Sequence, residues 1–254
     1  MIPKIIHYCW LSNDPYPADI AKCIESWKKY LPDYEFVKWD FNRIDKNKFR
    51  WVSEAYDNKK YAFAADYIRG YALYNYGGIY LDSDVEVLKS FDDLLSHPYF
   101  MGCEFNKTSP EAAVIGAEKG HPFFKHLLDY YEGRSFVKSD GSLDRRTLPS
   151  IFKEILDSNF NIEQISKPEE IDDRMTDKIC ILPYYYFSPK STFNGHIYST
   201  PETYAIHHFA NTWFPKYYIV ERKFWHSLGL KNMKIILRLV NLLKHGSVRG
   251  RLFD

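Results

Sequence analysis

Ala65-Asp66-Tyr67-Ile68-Arg69, then Leu73, then Gly77-Gly78-Ile79-Tyr80-Leu81-Asp82-Ser83-Asp84 is the stretch from which the rest of the chain can be read. Residues 53–76 carry a helical pattern, Gly77-Gly78 stops it, and Ile79 to Leu81 is a short apolar strand. Asp82 and Asp84 therefore follow a strand end, where ligands of open α/β sheets sit. Strict alternation predicts that both carboxylates share one face, with Ser83 turned away and Glu86 continuing that face. Two carboxylates so placed can share one hard divalent ion, Mg²⁺ or Mn²⁺. The bland alternative is a turn or helix-cap cluster. Upstream, Asp66 and Arg69 lie three residues apart on a helix, with Leu73 on the same face. Exposed, such an ion pair contributes little; in a cleft beside carboxylates it suits hydroxyl and phosphate recognition.

Working outward, Lys4 to Trp10 reads as a buried first strand, and Ile20 to Tyr30 as a helix with Ile20, Cys23, Ile24 and Trp27 on one face. Tyr34 to Trp39 alternates as a second strand, so the chain opens β-α-β-α-β, the start of a mostly parallel α/β sheet. Beyond the carboxylates, Tyr99 to Cys103, Ala112 to Ala117, Ile179 to Leu182 and Tyr204 to His208 are apolar runs of strand length. Pro122 to Tyr131 and Thr147 to Leu156 are helical. No repeat and no linker rich in Pro, Gly or Ser divides the chain.

With 254 residues and 45% hydrophobic content, the chain can bury one large core. Its net charge of +1 argues against a nucleic-acid partner, which needs an excess of Lys and Arg. Cys9, Cys23, Cys103 and Cys180 are scattered, without a CxxC pair, and the apolar start MIPKIIHYCW is broken by Pro3, Lys4 and His7. Both features favour a cytoplasmic protein. Aromatic residues make up 18% of the chain, and their ordinary fate is packing.

The block from Asp66 to Asp84 resembles glycosyltransferase family 32, whose signature joins an Asp-x-x-Arg helix, Gly-Gly-x-Tyr and a DXD motif. The cores of large clostridial glucosylating toxins are similar. The resemblance runs from Ile2-Pro3-Lys4-Ile5-Ile6-His7 to His207-His208-Phe209-Ala210-Asn211-Thr212-Trp213. It implies a GT-A nucleotide-binding sandwich over residues 1–228 and transfer with retention of configuration. It further implies Mn²⁺ or Mg²⁺ on Asp82 and Asp84, with His208 or Asn211 completing the metal shell. Asp66 and Arg69 would hold the donor sugar, Tyr80 would pack beside them, and Trp213 would cover the diphosphate or sugar. Ser83 belongs to the same donor loop, and Asp66, Arg69 and Asp84 are the candidate catalytic groups. His7, Tyr8 and Trp10 can contact the nucleotide base, although burial alone explains an aromatic strand end. Where the family often has a Thr-Gly-Pro turn, this chain reads Thr147-Leu148-Pro149.

The expected partners are a nucleotide-diphosphate sugar, UDP-linked ahead of GDP-linked, and a glycan or lipid-linked glycan acceptor of surface polysaccharide assembly. Two other readings compete: a sugar- or nucleotide-binding module without turnover, and an aspartyl phosphatase using the same Asp-x-Asp. Residues 231 to 254 carry six Lys and Arg against Asp254, with Met233, Ile236, Leu237, Val240 and Leu243 in an apolar stripe. A basic amphipathic helix over 229–254 is therefore expected. It either packs on the domain or docks on an anionic membrane surface, such as the inner face of the plasma membrane.

Overall fold

The structure, a computed structural model, describes residues 1–12, 14–105, 110–171 and 177–210. Helix α1 (Ala18–Tyr30) joins strands β1 (Ile5–Cys9) and β2 (Glu35–Trp39). Two helices follow, α2 (Arg50–Asp57) and α3 (Tyr61–Tyr76), then β3 (Gly78–Leu81) and β4 (Val85–Val87). The second half holds β5 (Tyr99–Cys103), β6 (Pro110–Ala117), α4 (Pro122–Tyr131), α5 (Leu148–Asn159), β7 (Asn161–Gln164), β8 (Lys178–Ile181) and β9 (Ala205–His207). The expected tail over 229–254 lies outside the described residues, as do Asn211 and Trp213.

The central sheet has the order β2-β1-β3-β6-β5. β2, β1 and β3 are mutually parallel, β6 runs against β3, and β5 runs against β6. Four of the five strands thus point one way, the mostly parallel sheet that the β-α-β opening predicts, with β6 the reversed member. The reversal puts the start of β6 at the same edge as the end of β3: Leu81 pairs with Val114, and Asp82 N–H donates to the Ala113 carbonyl at 2.9 Å.

The expected single helix over 53–76 is two helices. Lys59 takes a left-handed turn (φ 57) between them, and Lys60 N–H closes on the Ala55 carbonyl at 2.8 Å. β4 is too short, and β7 too exposed, to leave an apolar signature. α3 is buried on several faces, from Phe63 and Ala64 through Ile68 to Leu73. At Gly70 a Cβ would come within 2.7 Å of Leu127 on α4, so the missing side chain is what lets the two helices approach. Around this frame Trp27, Trp51, Phe91, Phe100, Phe123 and Phe152 form the fully buried core.

Gly77 and Gly78 turn α3 into β3 at φ 68 and φ 105, angles that L side chains rarely adopt. A Cβ at Gly78 would also sit 2.7 Å from the Ile5 carbonyl oxygen, a backbone atom that cannot step aside. Gly78→Ala is therefore expected to destabilise the fold by about 2 kcal/mol or more, as strain and overpacking combine. Urea denaturation would measure it, and a variant within 0.5 kcal/mol of the parent, roughly the scatter of neutral substitutions, would refute the strain.

Candidate active site at the end of β3

The two signature carboxylates meet by a turn, not by strand alternation. β3 ends at Leu81, Val85 N–H donates back to the Asp82 carbonyl at 3.0 Å, and Ser83 and Asp84 occupy the bend. The expectation that strand alternation would align Asp82, Asp84 and Glu86 fails here, because the polypeptide reverses between β3 and β4. β4 then pairs antiparallel with β9, Val85 opposite His207. α1 clamps β4 from the other side: Trp27 Nε1 donates to the Val85 carbonyl at 2.7 Å, and Ser26 Oγ accepts from Val87 N–H at 2.9 Å. Sequence positions more than 120 residues apart are thereby brought to one edge of the sheet, and His208 N–H closes on the Asp84 carbonyl at 3.0 Å.

Asp82, Asp84 and His207 each offer one ligand atom, all within 4.8 Å of one another. His207 lies with Nε2 3.4 Å from Asp84 Oδ1 and Nδ1 3.2 Å from Glu111 Oε2. Burial opposes charge on His207, but Glu111 and Asp84 outweigh it and raise its proton affinity; a cation would take the place of the Nε2 proton and leave Nδ1–H on Glu111. Burial likewise works against Asp84, yet His207 and the Ala210 N–H, which donates at 2.7 Å, keep its carboxyl down at about 2. Glu111 is also held at about 2, against its burial, by His207, Ser188 and the Ala113 amide. The cluster suits a divalent cation: two carboxylate oxygens and one imidazole nitrogen form an incomplete shell that leaves coordination positions for phosphate and water.

The resemblance points to His208 or Asn211 as the further group beside the two aspartates; the structure brings His207 there, and Asn211 lies outside the described residues. Neighbouring residues at a strand end face opposite ways, and β9 ends at His207. His208 turns instead to Glu86, with Nε2 2.8 Å from Oε2, while Lys190 donates to its carbonyl at 2.9 Å. Glu86 is thereby drawn away from the face where the sequence predicts it. Glu111 escapes the motif reading, although a lone charged residue opening the apolar strand Pro110–Ala117 is a legible signal.

The Asp66/Arg69 pair is buried beside the end of β3. Arg69 Nη2 donates to Asp82 at 2.9 Å and lies 3.6 Å from Asp66, Nη1 donates to the Ala112 carbonyl, and the guanidinium sits 4.3 Å over the Tyr80 ring. Tyr80 is 1% exposed, so it supports Arg69 from beneath and has no face for a donor. Burial pushes the Asp66 carboxyl up to about 7; Arg69 pulls it down and Asp82 adds to the rise. Near neutrality Asp66 can thus both donate and accept hydrogen bonds. Ser83, on the bend between the two aspartates, is half-buried.

His7 does not face a ligand. It is 1% exposed, and Trp39 Nε1, a donor only, approaches its Nδ1 at 3.1 Å. Nδ1 must then accept, which leaves Nε2–H to donate to the Gly77 carbonyl at 2.8 Å. His7 therefore braces the glycine turn that carries β3. Burial holds its pKa down at about 4 despite the Gly77 hydrogen bond. The unfolded chain takes up this proton below about 6.5 and the folded chain only near 4, so His7 costs stability as pH falls across that window, on the order of 3 kcal/mol at its lower end. Its ring proton should titrate near pH 4 by NMR; an ordinary midpoint near 6.5 would contradict the neutral tautomer. Tyr8 packs edge-on to Trp27, with ring centroids 5.2 Å apart, and Trp10 donates to the Asp14 carbonyl at 2.9 Å beside Tyr16. Both remain half-buried, Tyr8 within β1 and Trp10 just past its end.

Comparison with known proteins agrees with this geometry. A family model described as a glycosyltransferase sugar-binding region containing a DXD motif matches residues 17–101, from α1 through both signature aspartates to β5. Inositol phosphoceramide mannosyltransferase 3 of Schizosaccharomyces pombe is 37% identical over 134 residues, 50% of this chain and 36% of that protein. Mannosyl phosphorylinositol ceramide synthase SUR1 of Saccharomyces cerevisiae is 33% identical over 138 residues, covering 50% of this chain and 34% of its own length. A glycosyltransferase of Acanthamoeba polyphaga mimivirus, L373, is 28% identical over 228 residues, 85% of each chain. The chain spans about a third of the length of the first two relatives.

These relatives overturn the cytoplasmic placement. They are named for mannosylating inositol phosphoceramide, a lipid that ceramide tails hold in a membrane, so a cytoplasmic location is not supported. The physical reason is that unpaired cysteines carry no compartment information: all four are free, and three are buried where neither redox environment reaches them. Among the described residues no helix is long and apolar enough to cross a membrane. The aspartyl-phosphatase alternative also gives way, since relatives and family model alike name glycosyl transfer. The match runs across the helix-turn-strand unit that builds the site, and there the chain is similar to the DXD-containing glycosyltransferases, in line with its resemblance to family 32.

Proposed function

We propose that the chain is a divalent-metal-dependent, retaining glycosyltransferase of GT-A type that moves mannose from a nucleotide-diphosphate donor to a hydroxyl on a membrane lipid headgroup. The observation that carries this reading is the cluster of Asp82, Asp84 and His207 at the end of β3, with Arg69 and Asp66 beside it. The names of the relatives supply the sugar and the acceptor class, replacing the polysaccharide acceptor expected from the sequence.

Asp82, Asp84 and His207 would hold Mn²⁺ or Mg²⁺. When bound, the cation offsets the negative charge that builds on the departing diphosphate. Arg69 has its charge fixed next to that position, and its three contacts keep the guanidinium from reorganising as charge develops. Asp66, near the midpoint of its titration at neutral pH, steadies the hydroxyls of the sugar as donor or acceptor.

The test needs no acceptor. The chain is incubated with UDP-glucose, UDP-galactose, UDP-N-acetylglucosamine and GDP-mannose, each with Mn²⁺ and with chelator, and free sugar is followed by NMR. The expected result is slow release of mannose as the α anomer, in the Mn²⁺ samples only. Release unaffected by chelator would remove the metal, and no turnover of any donor, with or without a lipid acceptor, would leave a binding module.

A further inference from the structure

Three consecutive residues at the start of β6 each hold a different part of the site. The Ala113 carbonyl accepts from Asp82 N–H, the Ala112 carbonyl accepts from Arg69 Nη1, and the Glu111 carboxylate faces His207. The first two contacts are made by backbone and follow from strand register. The third depends on one side chain. Glu111 is 3% exposed, and its oxygens are filled by protein groups: Oε1 accepts from Ala113 N–H at 2.9 Å, and Oε2 accepts from Ser188 Oγ at 2.7 Å and from His207 Nδ1 at 3.2 Å. A buried carboxylate needs such partners, and here both of its oxygens are engaged by protein groups.

We infer that Glu111 is a positioning residue: it takes the Nδ1 proton of His207 as its hydrogen bond and so presents Nε2 to the cation shared with Asp82 and Asp84. The inference rests on the metal-dependent reading above. An imidazole can ligate through either nitrogen, and the partner of the other nitrogen decides which. His207 Nε2 lies toward Asp84 at 3.4 Å, while the Phe209 ring packs on the imidazole with centroids 3.9 Å apart, so the ring plane is restrained as well. Through Ser188, the same carboxylate ties the 188–198 loop to the histidine, and that loop is itself closed by pairing of Lys190 with Ile197. The histidine, a strand end and a neighbouring loop thus share one buried anchor.

Mn²⁺ is titrated into the full chain without donor, free Mn²⁺ being read by electron paramagnetic resonance. The proteins are the parent, Glu111→Gln, Glu111→Asp, His207→Ala, the Glu111→Gln/His207→Ala double variant and Asp84→Asn. Each Glu111 variant should bind Mn²⁺ about 10- to 100-fold more weakly, the usual cost of losing a partner of a ligating histidine. The double variant should be no weaker than His207→Ala alone, because Glu111 acts through that ring; a merely structural carboxylate would not give this non-additivity. Glu111→Asp, which keeps the charge but shortens the reach, decides the matter if the Gln variant does not fold. Parental affinity in a folded Glu111 variant, or losses that multiply in the double variant, would overturn the inference. If the parent binds Mn²⁺ and Asp84→Asn does not, that failure leaves the metal reading standing; if the parent binds none, both fall.

Discussion

Replacing Asp84 by Asn is expected to cut Mn²⁺-dependent donor hydrolysis on the order of 10²- to 10³-fold, comparable with removing one group that stabilises developing charge. The substitution is nearly isosteric. An Asn carbonyl oxygen can still accept from Ala210 N–H, which meets Asp84 Oδ2 at 2.7 Å, so the turn into β4 should persist. What disappears is the anion: Asp84 stays charged down to about pH 2 because His207 and the Ala210 amide favour the carboxylate over the cost of its burial. A neutral amide gives a cation far less. Sugar release and circular dichroism should be recorded together. An Asn variant that is folded and as active as the parent would exclude Asp84 from the metal site.

The second large effect concerns stability. Arg69→Met is expected to destabilise the fold by about 3–5 kcal/mol at pH 7, the penalty for breaking a buried ion pair from one side. In a chain of this size that corresponds to a melting point lower by roughly 10 °C. Met fills much of the volume but leaves Asp66 and Asp82 without their counter-charge, the Ala112 carbonyl without its donor, and the Tyr80 ring without its cation. The sign with pH comes from Asp66, whose folded-state carboxyl already stands at about 7 through burial. A carboxyl raised above its unfolded value is penalised when ionised, so the penalty is full above the folded value and disappears as pH falls below the unfolded one, near 4. The defect of Arg69→Met should therefore be greatest at neutral pH and shrink toward pH 4. Arg69→Lys should rescue only part of it, because one ammonium cannot replace a planar fork that serves both carboxylates and a carbonyl. Melting curves at pH 7 and pH 5 test this; equal stability of parent and Met variant at pH 7 would refute it.

Much of the site is legible in the sequence. Gly77-Gly78 announces a sharp turn, and it is one, with both residues at positive φ. Asp66 and Arg69, three apart on a helix, do share a face, and they are buried, with Arg69 reaching Asp82. The boundaries of β1, β2, β5 and α4 fall within about two residues of their apolar patterns. Other readings fail for identifiable reasons. His7 looks like a base contact because an aromatic strand end has no distinctive polarity; only Trp39 and Gly77 converging on its two nitrogens reveal an inward brace. The choice between His207 and His208 turns on where β9 ends, a one-residue question that periodicity cannot resolve. Compartment is misread because scattered cysteines are equally at home, buried and reduced, on either side of a membrane.

By itself the sequence determined the local unit: a helix bearing an acid and a base, a glycine turn only glycine can make, and a strand that ends in carboxylates. Those properties arise from backbone angles and side-chain spacing within some twenty residues, and no distant contact is needed to set them. The tertiary structure alone decided the company this unit keeps. Reversed β6 brings Glu111 and two carbonyls to the end of β3, and the β4–β9 pairing brings His207 from the far end of the described chain. Strand order and register are long-range choices, fixed by which buried faces pack best, and a cluster of carboxylates and imidazole gathered from three strand ends exists only once they have been made.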